Sequence, residues 1–557
     1  MIKNAVIDTL SKKISGDIRL LTPKDERNGD YAINTIHIVQ NMKHKKISID
    51  KILKQFSESI LFSKVEQKGD FINFYINPIV LLEEMNKIID QKEDYGKNQH
   101  LKGKEIIVEF AHPNTHKLFH IGHLRNISLG ESLSRLLTTA GAKIVRVNYQ
   151  GDVGLHIAKC LYGISKRMGE MSSLKNLDDK IAFLGKTYTE GNRAYETDPE
   201  AKETIHKINK QVFRQDPEIK PLWEKTRAWS LEYFDRIYKR IDTKFDRLYF
   251  ESEVADSGLA ITKKALEKGI LKRSDGAIIF DGTQYGLDKR VFINSIGLPT
   301  YEAKELGLAE LEFSEFGQID KCIHVVGPEQ ASFFKVTFKV EELIKEKKYK
   351  NKQSHFIYGF VDLIGEKMSS RKGNVLTGEW LLNEVKDRVK KTFSVDEKTA
   401  DIISVGAVKY AFLKVDAKRK IMFDINESIS IHGNSGPYLL YTFARCQSVL
   451  KKVVKDNKNT TDVTNPANKL APEEEALLRT FFRFPEVVSD AGEKYASHLV
   501  CNYLFDLAQK FNLFYERLPI LKAPYNQMLF RTKLTAVTAQ IIKNGLYLLG
   551  IETVDRI

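Results

Sequence analysis

Apolar positions along the chain switch between the two periods that mark helix and strand. They recur at helical spacing from Ile2 to Ile14 and from Ile49 to Ile60, while Asp70-Phe71-Ile72-Asn73-Phe74-Tyr75-Ile76 alternates as a strand does. This predicts a small α/β unit over residues 1–95, closed by the charged, pattern-breaking stretch Gln91–Gly103. Lys104–Phe110 then reads as a buried strand, followed by a Pro-containing turn, a helix beginning near Ile121 and a second strand, Lys143–Tyr149. Strand, helix and strand at this spacing open a parallel, doubly wound sheet. Residues from Gly151 to Asp246 are charged and helical in pattern, as an insertion into that sheet would be, and sheet-like runs return at Ala277–Phe280, Lys321–Val326 and His355–Leu363. From Ala400 onward the pattern is all helix: Leu439, Phe443, Cys446, Leu450 and Val453 share one face, and Leu534, Val537, Ile541 and Leu548 another. The polar stretch Asp456–Lys469 reads as a loop between helices.

The expected architecture is therefore α/β multidomain. A Rossmann-like catalytic-type domain covers 104–380, with a helical insertion at about 155–246. A helical link over 381–430 leads to an all-α bundle over 431–557.

Composition changes this picture only in part. The chain has 557 residues, 42% hydrophobic, with 87 Lys plus Arg against 73 Asp plus Glu, a net charge of +14. That excess suits a polyanionic partner met over a broad surface, and equally a solvated Lys-rich surface. No run approaches the roughly 18 apolar residues of a membrane span. The N-terminal residues lack the apolar block of a signal peptide, and the four cysteines (Cys160, Cys322, Cys446, Cys501) form no Cys-x-x-Cys pair. A cytoplasmic location, with no membrane association, is the expectation.

Two stretches carry chemistry. Phe119-His120-Ile121-Gly122-His123-Leu124-Arg125 lies where the first sheet strand hands over to a helix. A helical start puts His120 and His123 on one side, the helix N-terminus favours a phosphate, and Gly122 admits a flat base. Metal ligation by His112, His116, His120 and His123 is a competing reading, although Pro113 argues against one continuous helix through all four. The second stretch, Gly365-Glu366-Lys367-Met368-Ser369-Ser370-Arg371-Lys372-Gly373-Asn374, is a flexible cationic loop able to close over a triphosphate, or else a basic surface turn.

Together these two motifs resemble the signatures of class I aminoacyl-tRNA synthetases, and more specifically of the arginyl-tRNA synthetase family. The likeness extends through Glu109-Phe110-Ala111-His112-Pro113-Asn114, Asn148–Gly154, Asn434–Tyr441 with Ala444-Arg445, Ala539–Leu546 and Asn28–Asn34, and so over essentially the whole chain. The resemblance implies an arginine–tRNA ligase whose substrates are L-arginine, ATP with Mg²⁺ and tRNA(Arg), working as a monomer with no tightly bound cofactor and no metal site. It implies catalytic roles for His120, His123, Lys367, Lys117 and Lys372, and ATP contacts from Gly122, Met368, Ser369 and Ser370 besides His120, His123 and Lys117. Lys-Met-Ser is followed by Ser370 where the wider class has a second lysine, which leaves Arg371 or Lys372 to supply that charge.

Arginine would be held by Glu109, Asn114, Glu251, Tyr301, Glu305 and Gln330. A permanently charged, forked guanidinium calls for carboxylates in bidentate geometry. Glu305 stands where the family more often has Asp. The N-terminal domain, through Tyr31 and Asn34, is expected to touch the tRNA elbow. In the anticodon-binding bundle Tyr438, Tyr441 and Arg445 are candidates for base contacts, while Phe511, Phe514 and Tyr515 fit either contact or core. A small-molecule nucleotidyltransferase shares His-x-Gly-His but needs neither the bundle nor the acid–Tyr–acid set. A non-catalytic RNA-binding paralogue would be expected to lose His120, His123 or Lys367.

Overall fold

Ile106, Ile107 and Val108 form an unbroken apolar run, and all three are buried in the strand Glu105–Glu109. A strand covered on both faces needs such a run. In the computed structural model, which describes residues 2–12, 18–23, 25–36, 53–54, 56–364, 377–455 and 470–557, this strand is the centre of a five-stranded sheet. The spatial order is Gln353–Ile357, Lys321–Val326, Glu105–Glu109, Lys143–Gln150, Arg247–Phe250, and every neighbouring pair is parallel. The winding direction therefore reverses between Glu105–Glu109 and Lys321–Val326. At such a switch point a crevice opens beyond the carboxyl ends of the strands.

Not every sheet-like run joins this sheet. Ala277–Asp281 pairs antiparallel with Lys272–Ser274 and Lys289–Ile293 in a separate three-stranded sheet. The run predicted at 355–363 splits: Gln353–Ile357 forms an edge of the main sheet, while Val361–Leu363 pairs with Ile421–Phe423. That second pairing puts a short strand in a region whose pattern reads as helix throughout. The insertion is helical, with Leu155–Ser165, Leu177–Thr197, Pro199–Phe213 and Lys220–Arg240 around a core that includes Ile157, Cys160, Phe183 and Trp223. The helices Gly378–Thr392 and Glu397–Leu413 belong to the same compact unit, which spans Gln99–Pro437 and Leu548–Glu552.

The helix Ile121–Thr139 is buried on almost every side, polar residues included. Its side chains replace the hydrogen bonds that water would have made. Asn126 accepts from the Ala111 amide at 2.5 Å and donates to the Val325 carbonyl at 2.6 Å, so it bridges the two strands at the switch point. Arg125, with 0% exposure, donates to the carbonyls of Gly359 (2.5 Å), Phe360 (2.8 Å), Ala417 (2.9 Å) and Arg419 (2.8 Å). Ser132 donates to the Leu548 carbonyl at 2.9 Å. Lys409, also buried, donates to the carbonyls of Ile241 (2.5 Å) and Gly550 (2.6 Å), and burial lowers its ammonium to about 8.

Two helices carry Glu251 and Glu305 of the site, Glu251–Glu267 and Tyr301–Glu315. They cross with their backbones in near contact. A β-carbon at Gly258 would run into the Ala303 carbonyl, and one at Gly307 into the Val254 carbonyl. Gly307→Ala should therefore cost about 1–3 kcal/mol of stability by pushing the helices apart. Chemical denaturation against wild type checks this, and an unchanged midpoint would contradict the close packing.

The other compact unit comprises Met1–Asn98, Tyr438–Tyr547 and Thr553–Ile557. Its three-stranded antiparallel sheet has the order Tyr31–Asn34, Phe71–Ile76, Phe62–Lys68. Its bundle includes Pro472–Phe481, Phe484–Lys494, Ser497–Arg517 and most of Tyr525–Leu548. Arg479 pairs with the buried Asp30, joining sheet and bundle within this unit. No helix among the described residues is long and apolar enough to cross a membrane.

Candidate active site

The first sheet strand ends at Glu109, and the chain then turns sharply. Ala111 (φ 84°), His112 (φ 49°) and His116 (φ 62°) all adopt left-handed backbone, so no helix runs through the four histidines. Strain of this kind persists only where surrounding contacts hold it. His112 receives such support from Asn148, whose side chain accepts from its amide at 3.2 Å. The buried His116 ring lies between Thr115 (3.1 Å) and Thr226 (2.7 Å), and burial lowers it to about 3, so it is neutral. Among the described residues the four histidines do not gather into a group that could hold a metal ion.

His120 caps the helix Ile121–Thr139, and its ring stacks on that of His123 with centroids 3.7 Å apart. The His120 amide donates to His123 Nδ1 at 3.1 Å. Burial holds His123 well below the ordinary imidazole value, so the ring is neutral and its one proton lies on Nε2, ready to donate. His120, whose outer edge reaches solvent, is lowered to about 4 by the water its walls exclude and then by the Lys117 ammonium. A β-carbon on Gly122 would press on the His120 ring at 3.0 Å, so glycine lets that ring fold back over the first turn. Lys117 is partly buried, with its ammonium 5.6 Å from the Tyr188 ring centre. Lys367, Met368, Ser369, Ser370, Arg371 and Lys372 lie outside the described residues.

At the switch point lies a cavity of about 320 Å³. Glu109, Asn114, Glu251, Tyr301, Glu305 and Gln330, drawn from four separate stretches of sequence, all line it. Gly151 has no side chain where the Asn114 amide needs the room. Glu109, Glu251 and Glu305 are each 3% exposed or less, whereas Tyr301 stands at the mouth, 60% exposed. Glu109 Oε2 and Glu305 Oε1 have no hydrogen-bond partner, a costly condition for buried oxygens that a cationic forked donor would relieve.

Several lining or supporting residues escape the motif reading. Lys304 pairs with Glu251 at 2.5 Å and lies over the Tyr301 ring at 4.5 Å. Burial raises Glu251, and Lys304 opposes that rise. His324, from the strand Lys321–Val326, faces Glu109 at 3.3 Å and Glu305 at 3.8 Å. Arg290, Glu329, Phe333 and Phe334 also line the wall, beside His112 and Tyr149 from the motif blocks. A lone histidine in Cys322-Ile323-His324-Val325-Val326 was the one available signal for His324, and it belongs to no motif.

The residues expected to meet a polyanion fare unevenly. Tyr31 is 1% exposed, its hydroxyl donates to Glu486, and the Arg483 guanidinium lies 4.2 Å from its ring centre. A phenol in that position packs the unit and is not available to an outside ligand, which corrects the expectation. The Asn34 side chain accepts from the Ile36 amide in a local turn. Arg445 lies between Tyr441 (4.8 Å) and Tyr515 (5.0 Å) and donates to Asn512 at 2.5 Å. Tyr438 accepts from the same Asn512 at 2.9 Å. Phe511 and Phe514 are core, both 0% exposed, while Tyr515 is 42% exposed.

Comparison with known proteins gives a consistent result. Residues 84–425 match the model for "tRNA synthetases class I (R), catalytic domain", residues 439–557 the "DALR anticodon binding domain", and residues 1–76 the "Arginyl tRNA synthetase N terminal domain". An arginine–tRNA ligase of Bacteroides thetaiotaomicron is 32% identical over 522 residues, covering 87% of this chain and 86% of the relative. One from Treponema denticola is 31% identical over 576 residues, covering 98% and 96%. Among solved structures, the fold is like that of Thermus thermophilus arginyl-tRNA synthetase, with a TM-score of 0.81 at 22% identity over the whole of both chains.

Proposed function

Since the chain belongs to the arginyl-tRNA synthetases of class I, we propose that its switch-point cavity takes the side chain of L-arginine and that the His120–His123 turn takes ATP. The enzyme is an arginine–tRNA ligase: it activates arginine with ATP and transfers it to tRNA. The observation that carries the assignment of the cavity is its pair of buried, unpartnered carboxylate oxygens, on Glu109 and Glu305. A guanidinium supplies two parallel N–H donors and a charge that cannot be lost. Lysine offers only a point charge, so a site shaped for the fork rejects it by roughly 10⁴-fold or more, because paired acids are left unsatisfied.

In the first step the arginine carboxylate attacks the α-phosphorus of ATP, forming arginyl-adenylate and releasing pyrophosphate. That carboxylate is already ionised, so positioning and charge stabilisation supply the catalysis and no protein base is needed. Mg²⁺ arrives with ATP as part of the substrate. His123 donates from Nε2, and His120 and Lys117 stand beside it. Lys367 and Lys372 complete the phosphate contacts in this reading. Asn114 and Gln330 orient the amino and carboxylate end of arginine. The terminal adenosine of the tRNA then accepts the arginyl group through a ribose hydroxyl.

The tRNA contact assigned to the bundle rests on Tyr438, Tyr441 and Arg445, and that assigned to the N-terminal domain on Asn34. The proposal keeps the enzyme as a monomer working in the cytoplasm. Pyrophosphate exchange measured with each standard amino acid, with and without tRNA, tests the assignment. Exchange should depend on arginine alone, and the resemblance to the family implies that it waits for bound tRNA. Exchange with lysine would overturn it.

A further inference from the structure

Behind the cavity floor lies a cluster of titratable side chains larger than a guanidinium requires. The His324 ring, buried on its strand, points Nδ1 at Glu109 Oε1 (3.3 Å) and Glu305 Oε1 (3.8 Å). Its Nε2 lies 3.0 Å from Gln353 Oε1. The Gln353 amide nitrogen is already committed, donating to Glu341 Oε2 at 3.0 Å, so the oxygen it turns to His324 can only accept. One ring nitrogen thus faces an acceptor and the other faces two carboxylates. Nε2 is therefore a donor, while Nδ1 makes no aligned hydrogen bond and is held protonated by the two carboxylates it faces, so the ring is an imidazolium.

The other charged and titratable groups around the cluster are Glu312 on the Glu305 helix, Glu341 from Ala331–Ile344, Cys322 on its own strand, His355 from the next strand, His112, whose ring lies 3.4 Å from Glu109, Tyr149 from Lys143–Gln150, and Glu251, whose charge Lys304 balances. Counting charges decides their arrangement. Two carboxylates this close to a single imidazolium carry one negative charge too many for a buried site, so one of them holds a proton. Burial and the neighbouring Glu109 raise Glu305 well above the carboxylate range. Burial also raises Glu109, but His324 outweighs it and keeps that acid ionised. Glu312 is raised well above its usual value, and Glu341 to about 8, so both add little charge near neutrality.

We propose that His324 is a positioning residue for arginine selection, its imidazolium tuning the two floor carboxylates so that an incoming guanidinium expels the single proton held on Glu305. Before binding, the floor holds His324 charged, Glu109 ionised and Glu305 neutral. After binding, the guanidinium brings one positive charge, Glu305 gives its proton to solvent, and the floor is again balanced. The inference rests on the reading of the cavity as the arginine site.

The test is tRNA charging by the full chain at a series of pH values, with ATP and tRNA saturating. One expelled proton requires the wild-type KM for arginine to fall about tenfold per pH unit on its acidic side, with kcat nearly level. In His324→Gln that falling limb should move to higher pH, because the neutral amide no longer favours loss of the Glu305 proton. In Glu305→Gln, which has no proton to lose, the KM should be raised and independent of pH. A flat wild-type profile overturns the proposal, as does a His324→Gln profile that superimposes on wild type. Should His324→Gln fail to fold, His324→Asn carries the same expectation of a limb moved to higher pH. A flat profile with an impaired Glu305→Gln enzyme defeats only the proton step. A Glu305→Gln enzyme with the wild-type KM defeats the arginine site itself.

Discussion

Glu305→Gln raises the Michaelis constant for arginine by about 10²–10³-fold at neutral pH while changing that for ATP little. The substitution keeps the size and shape of the side chain, removes its ability to become an anion and replaces one acceptor oxygen with an N–H donor. A guanidinium seated on the floor would then face Glu109 as its one ionised partner there, and breaking a buried pair in this way costs about 3–5 kcal/mol. ATP is spared because its proposed contacts, His120 and His123, belong to the first turn of a different helix, Ile121–Thr139. Steady-state charging kinetics with each substrate varied in turn separates the two effects. Equal loss for arginine and ATP would mean that Glu305 supports the site in general and does not grip the side chain. Discrimination against lysine should weaken in the same variant, since the pocket would no longer hold two acids to leave unpaired.

The second large effect concerns stability. Arg125→Met should destabilise the catalytic unit by about 3–5 kcal/mol. Methionine fills much of the same volume, so the loss comes from the carbonyls of Gly359 and Arg419, which lose their Arg125 donor, and from those of Phe360 and Ala417, which keep only the amides of Ile421 and Gly359. Each unsatisfied buried acceptor costs about 1–3 kcal/mol, and relaxation of the two loops recovers part of the sum. Arg125→Lys should rescue little, because a single ammonium cannot reach four carbonyls in a planar fork. Urea unfolding followed by circular dichroism is the measurement, and a midpoint within error of wild type would rule out the clamp.

The sheet was legible because its central strands are long apolar runs that only burial on both faces explains, and the phosphate turn because His120 and His123 follow the first of those runs directly. The acids were legible for another reason: Glu109, Glu251 and Glu305 each sit in a block that resembles a family motif. The pattern could not show which partner a short run would choose. Ala277–Asp281 pairs antiparallel outside the main sheet, and Ile421–Phe423 is a strand only because Val361–Leu363 offers it an edge. Nor could it show the neighbours that bury Tyr31, since Phe482, Arg483 and Glu486 lie some 450 residues away along the chain. His324 stayed hidden because it is a single polar residue inside an apolar run, and Lys304 because nothing marks it out among the charged residues of Tyr301–Glu305; the importance of both comes from the acids they meet in space.

The five residues Leu548–Glu552 group with the catalytic unit although the chain on both sides of them belongs to the other unit. Their carbonyls satisfy Ser132 and the buried Lys409. Anyone trimming this enzyme to a minimal activating fragment by stopping at residue 437 would discard a structural plug along with the helices. Lys409 would keep the Ile241 carbonyl and lose the other, and at its lowered proton affinity it would shed its charge more readily. A workable fragment would have to carry that pentapeptide, spliced back through a short linker or added as a separate peptide.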